Sequence, residues 1–499
     1  MILHGGTIYT GDPALPRMQG LPIDDRGRVS RGVEAWEGDT SAVSNERIDL
    51  DGRTVVPGFV DSHVHFLSWA LDRTRVDIRT APSGSDALEQ IAVQAASDRA
   101  AGSDQTWLIG SGWTEAVLAE IADPAGALAA ASHGRPAAIW ARDRHALWLN
   151  TAALEQVGGE AIRREQAAWD TPLPEPTRGE RQRAVTAGQQ QAHALGLTGI
   201  HDFEWRLGRR TWQELDADQR VSLRVTSMIT AEHIDGIDAV ELVAGFGSDR
   251  VKIGSVKAFL DGTLGARTAH MLEPYNDGGT GLQLLSQPEL VELISHAARI
   301  GLPVSLHAIG DAAVRSALDA FSETRALWSD FAEERPPRIE HAQLVHPDDL
   351  ARFAELGVVA SMQPVHAAED RSAAEAAWGD RCAGAYAWQP LRAAGTTLVF
   401  GTDAPISPLD PLATLHAAVN APLLAGHGLA VADALTAMTV TPSAIVGLGR
   451  RVGRLSPGYA ADLVVLNADP LTIPASALSS VEVVATMVGG RWVHGRPPW

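Results

Sequence analysis

Gly58-Phe59-Val60-Asp61-Ser62-His63-Val64-His65 is an apolar run that ends in two histidines one residue apart. A short apolar run of this kind predicts a buried strand. Strand side chains alternate faces, so His63 and His65 point the same way. Two imidazoles on one face can grip one metal ion. An ordinary pair of histidines gives the same motif, so the rest of the chain must supply further ligands.

Seven more short apolar runs follow the same plan. They fall near Gly199–Phe203, Leu223–Ile229, Val256–Leu260, Pro303–His307, Arg338–His341, Val358–Met362 and Thr397–Gly401. Helical stretches fill the gaps between them. In Pro288–Ile300, for example, Leu290, Leu293, Ile294 and Ala297 recur at helical spacing. Strands alternating with helices signal a parallel sheet, and eight such units favour a (β/α)₈ TIM-like barrel over an open sheet.

The barrel reading gives the polar residues at the strand ends a meaning. His307 closes the fifth strand, His341 the sixth, and Asp403 follows the eighth. Barrel active sites lie at the carboxyl ends of the strands. Convergence of these groups with His63 and His65 on one rim is hard to explain as core packing. Lys257 lies within Ser255-Val256-Lys257-Ala258-Phe259-Leu260-Asp261. Burial lowers the pKa of a lysine and frees its neutral amine. Such an amine can add carbon dioxide to become a carbamate able to bridge two metal ions. An ion pair with Asp261 is the plainer alternative.

Far more than the roughly 30 residues of a βαβ unit separate the first two strands. Trp107–Trp113 and Ala137–Trp140 read as strands of an insertion there, at about 70–190. The two ends of the chain read differently. Gly5-Gly6, Asp24-Asp25-Arg26-Gly27 and Asp51-Gly52 punctuate short strands at the start. Ala461–Leu466 and Val481–Val488 are strands at the end, with Gly489-Gly490 turning into Arg491-Trp492-Val493. The expected organisation is a composite β-sandwich from 1–56 and 447–499 around a barrel at 57–446.

Composition narrows the function classes. A net charge of −20 over 499 residues opposes binding to nucleic acid or anionic membranes. Cys382 is the only cysteine, so a cysteine-rich metal site and an intrachain disulfide are both excluded. The first residues lack the basic start and long apolar run of a signal peptide, which predicts a cytoplasmic location.

The order His-x-His, Lys, His, His, Asp on strands one, four, five, six and eight resembles the amidohydrolase superfamily. The words Val60-Asp61-Ser62-His63-Val64-His65, Lys257-Ala258-Phe259-Leu260-Asp261-Gly262, His307-Ala308-Ile309-Gly310-Asp311, Ile339-Glu340-His341-Ala342-Gln343 and Gly401-Thr402-Asp403-Ala404-Pro405 are similar to its YtcJ-like branch, which includes N-substituted formamide deformylases. Gly112-Trp113, Asp143-Arg144-His145 and Ala266-Arg267-Thr268-Ala269 also look like that branch. The resemblance implies that His63, His65 and Asp403 hold one ion. It implies that His307 and His341 hold a second, with carboxylated Lys257 as the bridge. Zn²⁺ suits these donors best, with Fe²⁺, Mn²⁺ and Co²⁺ as alternatives.

The expected function is hydrolysis of a non-peptide C–N bond by metal-activated hydroxide, with Asp403 as general acid/base. The expected substrate is a small amide such as an N-substituted formamide. Other small substrates (a cyclic amide, a carbamate or an ester) and a catalytically idle ligand-binding regulator are the rivals. His145 is a candidate catalytic contact from the insertion, against a surface-loop role. His201, Arg267 and Trp113 are candidate substrate contacts, against structural roles. The expected partner is a small molecule, with a homodimer as the candidate assembly.

Overall fold

A computed structural model describes residues 1–31, 46–100, 106–142, 144–164, 166–205, 207–420, 423–424 and 426–497. Asp143 lies outside the described residues. The described chain forms two compact units, one of Met1–His65 with Gln189–Trp499 and one of Phe66–Gly188.

The first unit contains the barrel. Its eight parallel strands are Phe59–Val64, Leu197–Asp202, Arg224–Thr230, Val251–Phe259, Val304–Ala308, Arg338–His341, Val359–Met362 and Leu398–Phe400. They neighbour one another in that order. A parallel bridge from Val64 to Ala404 joins the two edges. Asp61 reinforces this seam. Its Oδ1 accepts the His63 N–H at 2.9 Å, and its Oδ2 accepts the Thr402 N–H at 3.1 Å and hydroxyl at 2.6 Å. The strands read as near-continuous buried runs, as expected where helices cover a parallel sheet. The helix Gln287–Arg299 buries Leu290, Ile294, Ala297 and Ala298, and Ser286 with Glu289 forms a capping box at its start.

Both ends of the chain meet in one seven-stranded sheet. Its main path runs Arg17–Pro22, Ile2–Tyr9, Thr54–Pro57, Leu463–Leu466, Val483–Val488 and Arg491–His494, and Arg47–Asp49 pairs with Ile2–Tyr9 off that path. Leu3, Ile8, Val55, Leu463, Val465 and Met487 belong to its core. Gly5-Gly6 is not the turn that its composition predicts. Ile2–Tyr9 is one strand, and the register shifts between His4 and Ile8. A bulge absorbs the glycines because Gly5 sits at φ 74°.

The second unit carries a five-stranded sheet in the order Ile162–Arg164, Ala146–Leu149, Ala137–Ala141, Leu108–Trp113 and Val76–Asp77. Ile78, Ile91, Leu128, Ile139 and Trp148 pack in its own core. Among the described residues, no helix is long and apolar enough to cross a membrane.

Candidate active site

The first barrel strand delivers His63 fully buried and His65 partly exposed. His63 lies flat on Phe203, with centroids 4.0 Å apart and planes 5° from parallel. Its Nδ1–H donates to Glu340 Oε2 at 2.7 Å, which leaves the Nε2 lone pair free. Nε2 faces Asp403 Oδ1 at 3.6 Å, and His65 Nε2 stands 3.4 Å from the same oxygen. The trio can share one cation. Burial pushes the His63 pKa down to about 4, helped by Lys257 and opposed by Asp403 and Glu340. Burial opposes ionisation of Asp403, but His63, His65 and His341 overcome it and hold its carboxyl well below the usual range. Asp403 supplies an anion and His63 a neutral imidazole, the forms that bind a metal. His65 is raised, because Asp403 outweighs the burial that would lower it. A divalent cation in that gap would take the place of the proton.

Strands four to six bring up the other groups. The His307 ring centroid lies 4.5 Å from that of His341, which lies 5.0 Å from that of His63. His341 Nδ1–H donates to Gln363 Oε1 at 2.9 Å, and His307 Nε2–H donates to the Gly262 carbonyl at 3.1 Å. His341 thus has one nitrogen tied to an oxygen and the other open, as metal-binding imidazoles require, and a backbone carbonyl orients His307. Lys257 Nζ sits 4.8 Å from the Phe259 centroid and 5.1 Å from that of Phe203. Burial pulls its pKa down to about 8 against the pull of Glu340 and Asp403. Lys252, by contrast, donates to the Gly245 carbonyl at 3.2 Å.

Residues 46–494 match the amidohydrolase family. The chain belongs to the amidohydrolase family. Putative amidohydrolase YtcJ of Bacillus subtilis is 28% identical, with 99% of each chain covered. N-substituted formamide deformylase of Arthrobacter pascens is 23% identical over 93% of each chain. A metal-dependent hydrolase from Pyrococcus horikoshii superposes with a TM-score of 0.80 at 28% identity, covering 95% of this chain and 99% of that one. This amidohydrolase is therefore a metal-dependent hydrolase, and its His and Asp side chains fit a metal.

The four expected catalytic and substrate contacts have the following surroundings in this amidohydrolase. His201 is buried, and its Nδ1 accepts from Arg338 at 3.0 Å. That arginine also donates to Glu340 Oε2 at 3.0 Å, so His201 backs the carboxylate that orients His63. Arg267 is held within its own loop by Asp277 at 3.1 Å and the Leu264 carbonyl at 3.1 Å. Trp113 is a core residue of the second unit, with its indole N–H donated to the Ile139 carbonyl at 2.8 Å. His145, also in the second unit, meets Trp169 edge-on with centroids 5.2 Å apart.

Glu340, Gln363, His366 and Trp205 escape the sequence reading as site residues. Strand pairing places Glu340 opposite His307, so alternation alone sends Glu340 rather than His341 toward the His307 side. A left-handed backbone at His341, φ 73°, re-aims the imidazole. Glu340 was legible from that alternation. Trp205 is half-exposed, 6.5 Å from His65 and 5.3 Å from Phe259 between ring centroids.

Proposed function

We propose that this amidohydrolase hydrolyses the C–N bond of a small, non-peptide amide, with N-substituted formamides as the best-supported class. The observation that carries the reading is a buried Asp403 whose Oδ1 stands 3.6 Å from Nε2 of His63 and 3.4 Å from Nε2 of His65. The similarity to N-substituted formamide deformylase over most of both chains supports the substrate class. The half-exposed Trp205 beside His65 and Phe259 offers an apolar wall for the N-substituent.

His63, His65 and Asp403 would hold one divalent ion, and His307, His341 and a carbamate of Lys257 a second. Zinc fits this imidazole and carboxylate set best. A metal held there makes water ionise near neutral pH and polarises the amide carbonyl. Asp403 takes a proton from the attacking water and delivers it to the departing nitrogen. The water oxygen joins the formyl carbon as the C–N bond breaks, leaving formate and an amine. Glu340 keeps the His63 Nδ1–H engaged throughout, so the ring holds its tautomer. Lys257 reaches its carbamate when its neutral amine bonds to carbon dioxide and releases a proton.

Zinc-loaded protein incubated with N-alkyl and N-benzyl formamides is expected to release formate and amine in equal amounts. Asp403→Asn should lower kcat by about 10²- to 10⁴-fold with the fold intact, since an amide cannot take the proton. Turnover of esters or cyclic amides with no formate from any formamide would overturn the substrate class. Near-normal kcat in Asp403→Asn would overturn the proton-transfer role.

A further inference from the structure

The strand Val359–Met362 is followed at once by a helix, Pro364–Trp378, whose first turn carries His366. His366 is 7% exposed, and its Nε2 is buried with no hydrogen-bond partner. A buried ring nitrogen left without a partner is unfavourable unless something fills the gap. The surroundings say what fills it. His341, His366 and Asp403 each offer a ligand atom, and these lie within 4.8 Å of one another. His341 Nδ1 is already engaged by Gln363, so its open nitrogen is Nε2. Gln363 and His366 lie three residues apart, so one short segment both orients His341 and adds an imidazole next to it. Asp403 has two oxygens, one of which already faces His63 and His65.

We propose that His366 is a further ligand of the second divalent cation, the one assigned above to His307, His341 and Lys257, with Asp403 reaching both that cation and the one held by His63 and His65. Two histidines and a carboxylate select a borderline ion, Zn²⁺, Co²⁺, Fe²⁺ or Mn²⁺, over Ca²⁺ or Mg²⁺. Asp403 then belongs to both three-residue sets. His366 is a ligand carried by a helix, the one after strand seven. This inference rests on the reading that the barrel mouth binds metal, and the experiment separates the two.

The metal-free full chain is titrated with Zn²⁺, and bound metal is counted by mass spectrometry for the parent, His366→Ala, His366→Asn and His65→Ala. The same protein is crystallised with zinc, and anomalous diffraction is collected at the zinc edge. The parent should show zinc at about 2.1 Å from His366 Nε2. His366→Ala and His366→Asn should each lose one ion per chain, or bind it at least tenfold more weakly, and keep the ion at His63. His65→Ala should do the reverse. Unchanged stoichiometry and affinity in both His366 variants, or zinc in the barrel mouth but none within bonding distance of His366, would overturn the assignment and leave the metal-site reading standing. No zinc uptake by the parent would overturn both. Should the variants fail to fold, the anomalous map of the parent decides alone.

Discussion

A methyl group on Gly401 would stand 2.5 Å from the His63 backbone nitrogen and 2.7 Å from Asp61 Oδ1. Strand eight can approach strand one only because that side chain is missing. Gly401→Ala should therefore cost about 1–3 kcal/mol, and should weaken metal binding as the seam opens. Calorimetric melting and zinc titration of the variant check this, and an unchanged melting temperature contradicts it. Lys257 is the other residue with a sharp consequence. Burial brings its amine to about 8, and nearby metal cations would push it lower still. Lys257→Ala should lose one ion and most activity, with partial recovery in a short added carboxylate. Bicarbonate should speed metal loading of the parent. An unmodified amine at Lys257 in a metal-loaded, active crystal would rule the carbamate out. At this scale the sequence made the strand-end positions of His63, His65, His307, His341 and Asp403 legible, because each ends or follows an apolar run. It hid His366, which follows its strand by one helical turn and has no strand parity to betray it. It could not show that Arg267 bonds Asp277 and the Leu264 carbonyl, or that the Trp113 N–H bonds the Ile139 carbonyl, because neither residue type reveals in advance where its donors are spent.

Elements decide how these residues are aimed. His341 and Asp403 both take left-handed backbone, at φ 73° and 57°, where strand alternation no longer predicts side-chain direction. All eight barrel strands were legible from apolar runs, within a few residues at their ends. The bulge at Gly5 was not, because a glycine pair reads equally well as a turn. His193 joins three elements. Its Nδ1–H donates to the Leu197 carbonyl at 2.9 Å, its Nε2 meets Ser222 Oγ at 2.8 Å, and its own carbonyl accepts from Thr486 Oγ1 at 2.6 Å. Burial lowers its pKa from the ordinary 6.5 to about 4, with Arg250 and His494 adding repulsion and the Leu197 bond opposing. The unfolded chain thus binds the proton more readily. The stabilisation is whole above pH 6.5 and is lost as pH falls through about 4, at most roughly 3 kcal/mol. Urea unfolding at stepped pH should show that part of the slope vanish in His193→Gln. An identical pH slope in parent and variant would contradict it. The terminal sheet makes its own prediction. Leu463–Leu466 pairs antiparallel with Thr54–Pro57, so truncation from Gly453 bares that edge and part of the core containing Leu3 and Val55. The truncated chain should aggregate or melt at lower temperature. A soluble product with unchanged melting would show the pairing to be dispensable.

On the scale of the whole molecule, the two ends of the chain share one sheet, and the barrel gathers its polar groups where strands one, four, five, six and eight finish. The large gap between the first two strands announced an inserted unit, and that unit has its own sheet and core. The substrate was not legible to the same degree, because one scaffold carries many specificities and the loops that set them follow no simple period. The central claim is that a divalent metal in the barrel mouth makes this chain a C–N hydrolase. Its most direct test is to strip the purified protein with a chelator, reload it with zinc, and follow both metal content and formate release from N-substituted formamides. The account predicts an inactive stripped protein that takes up zinc and recovers amide hydrolysis in proportion to the metal bound. A protein that takes up no metal, or that hydrolyses the amide equally well without it, would contradict the account.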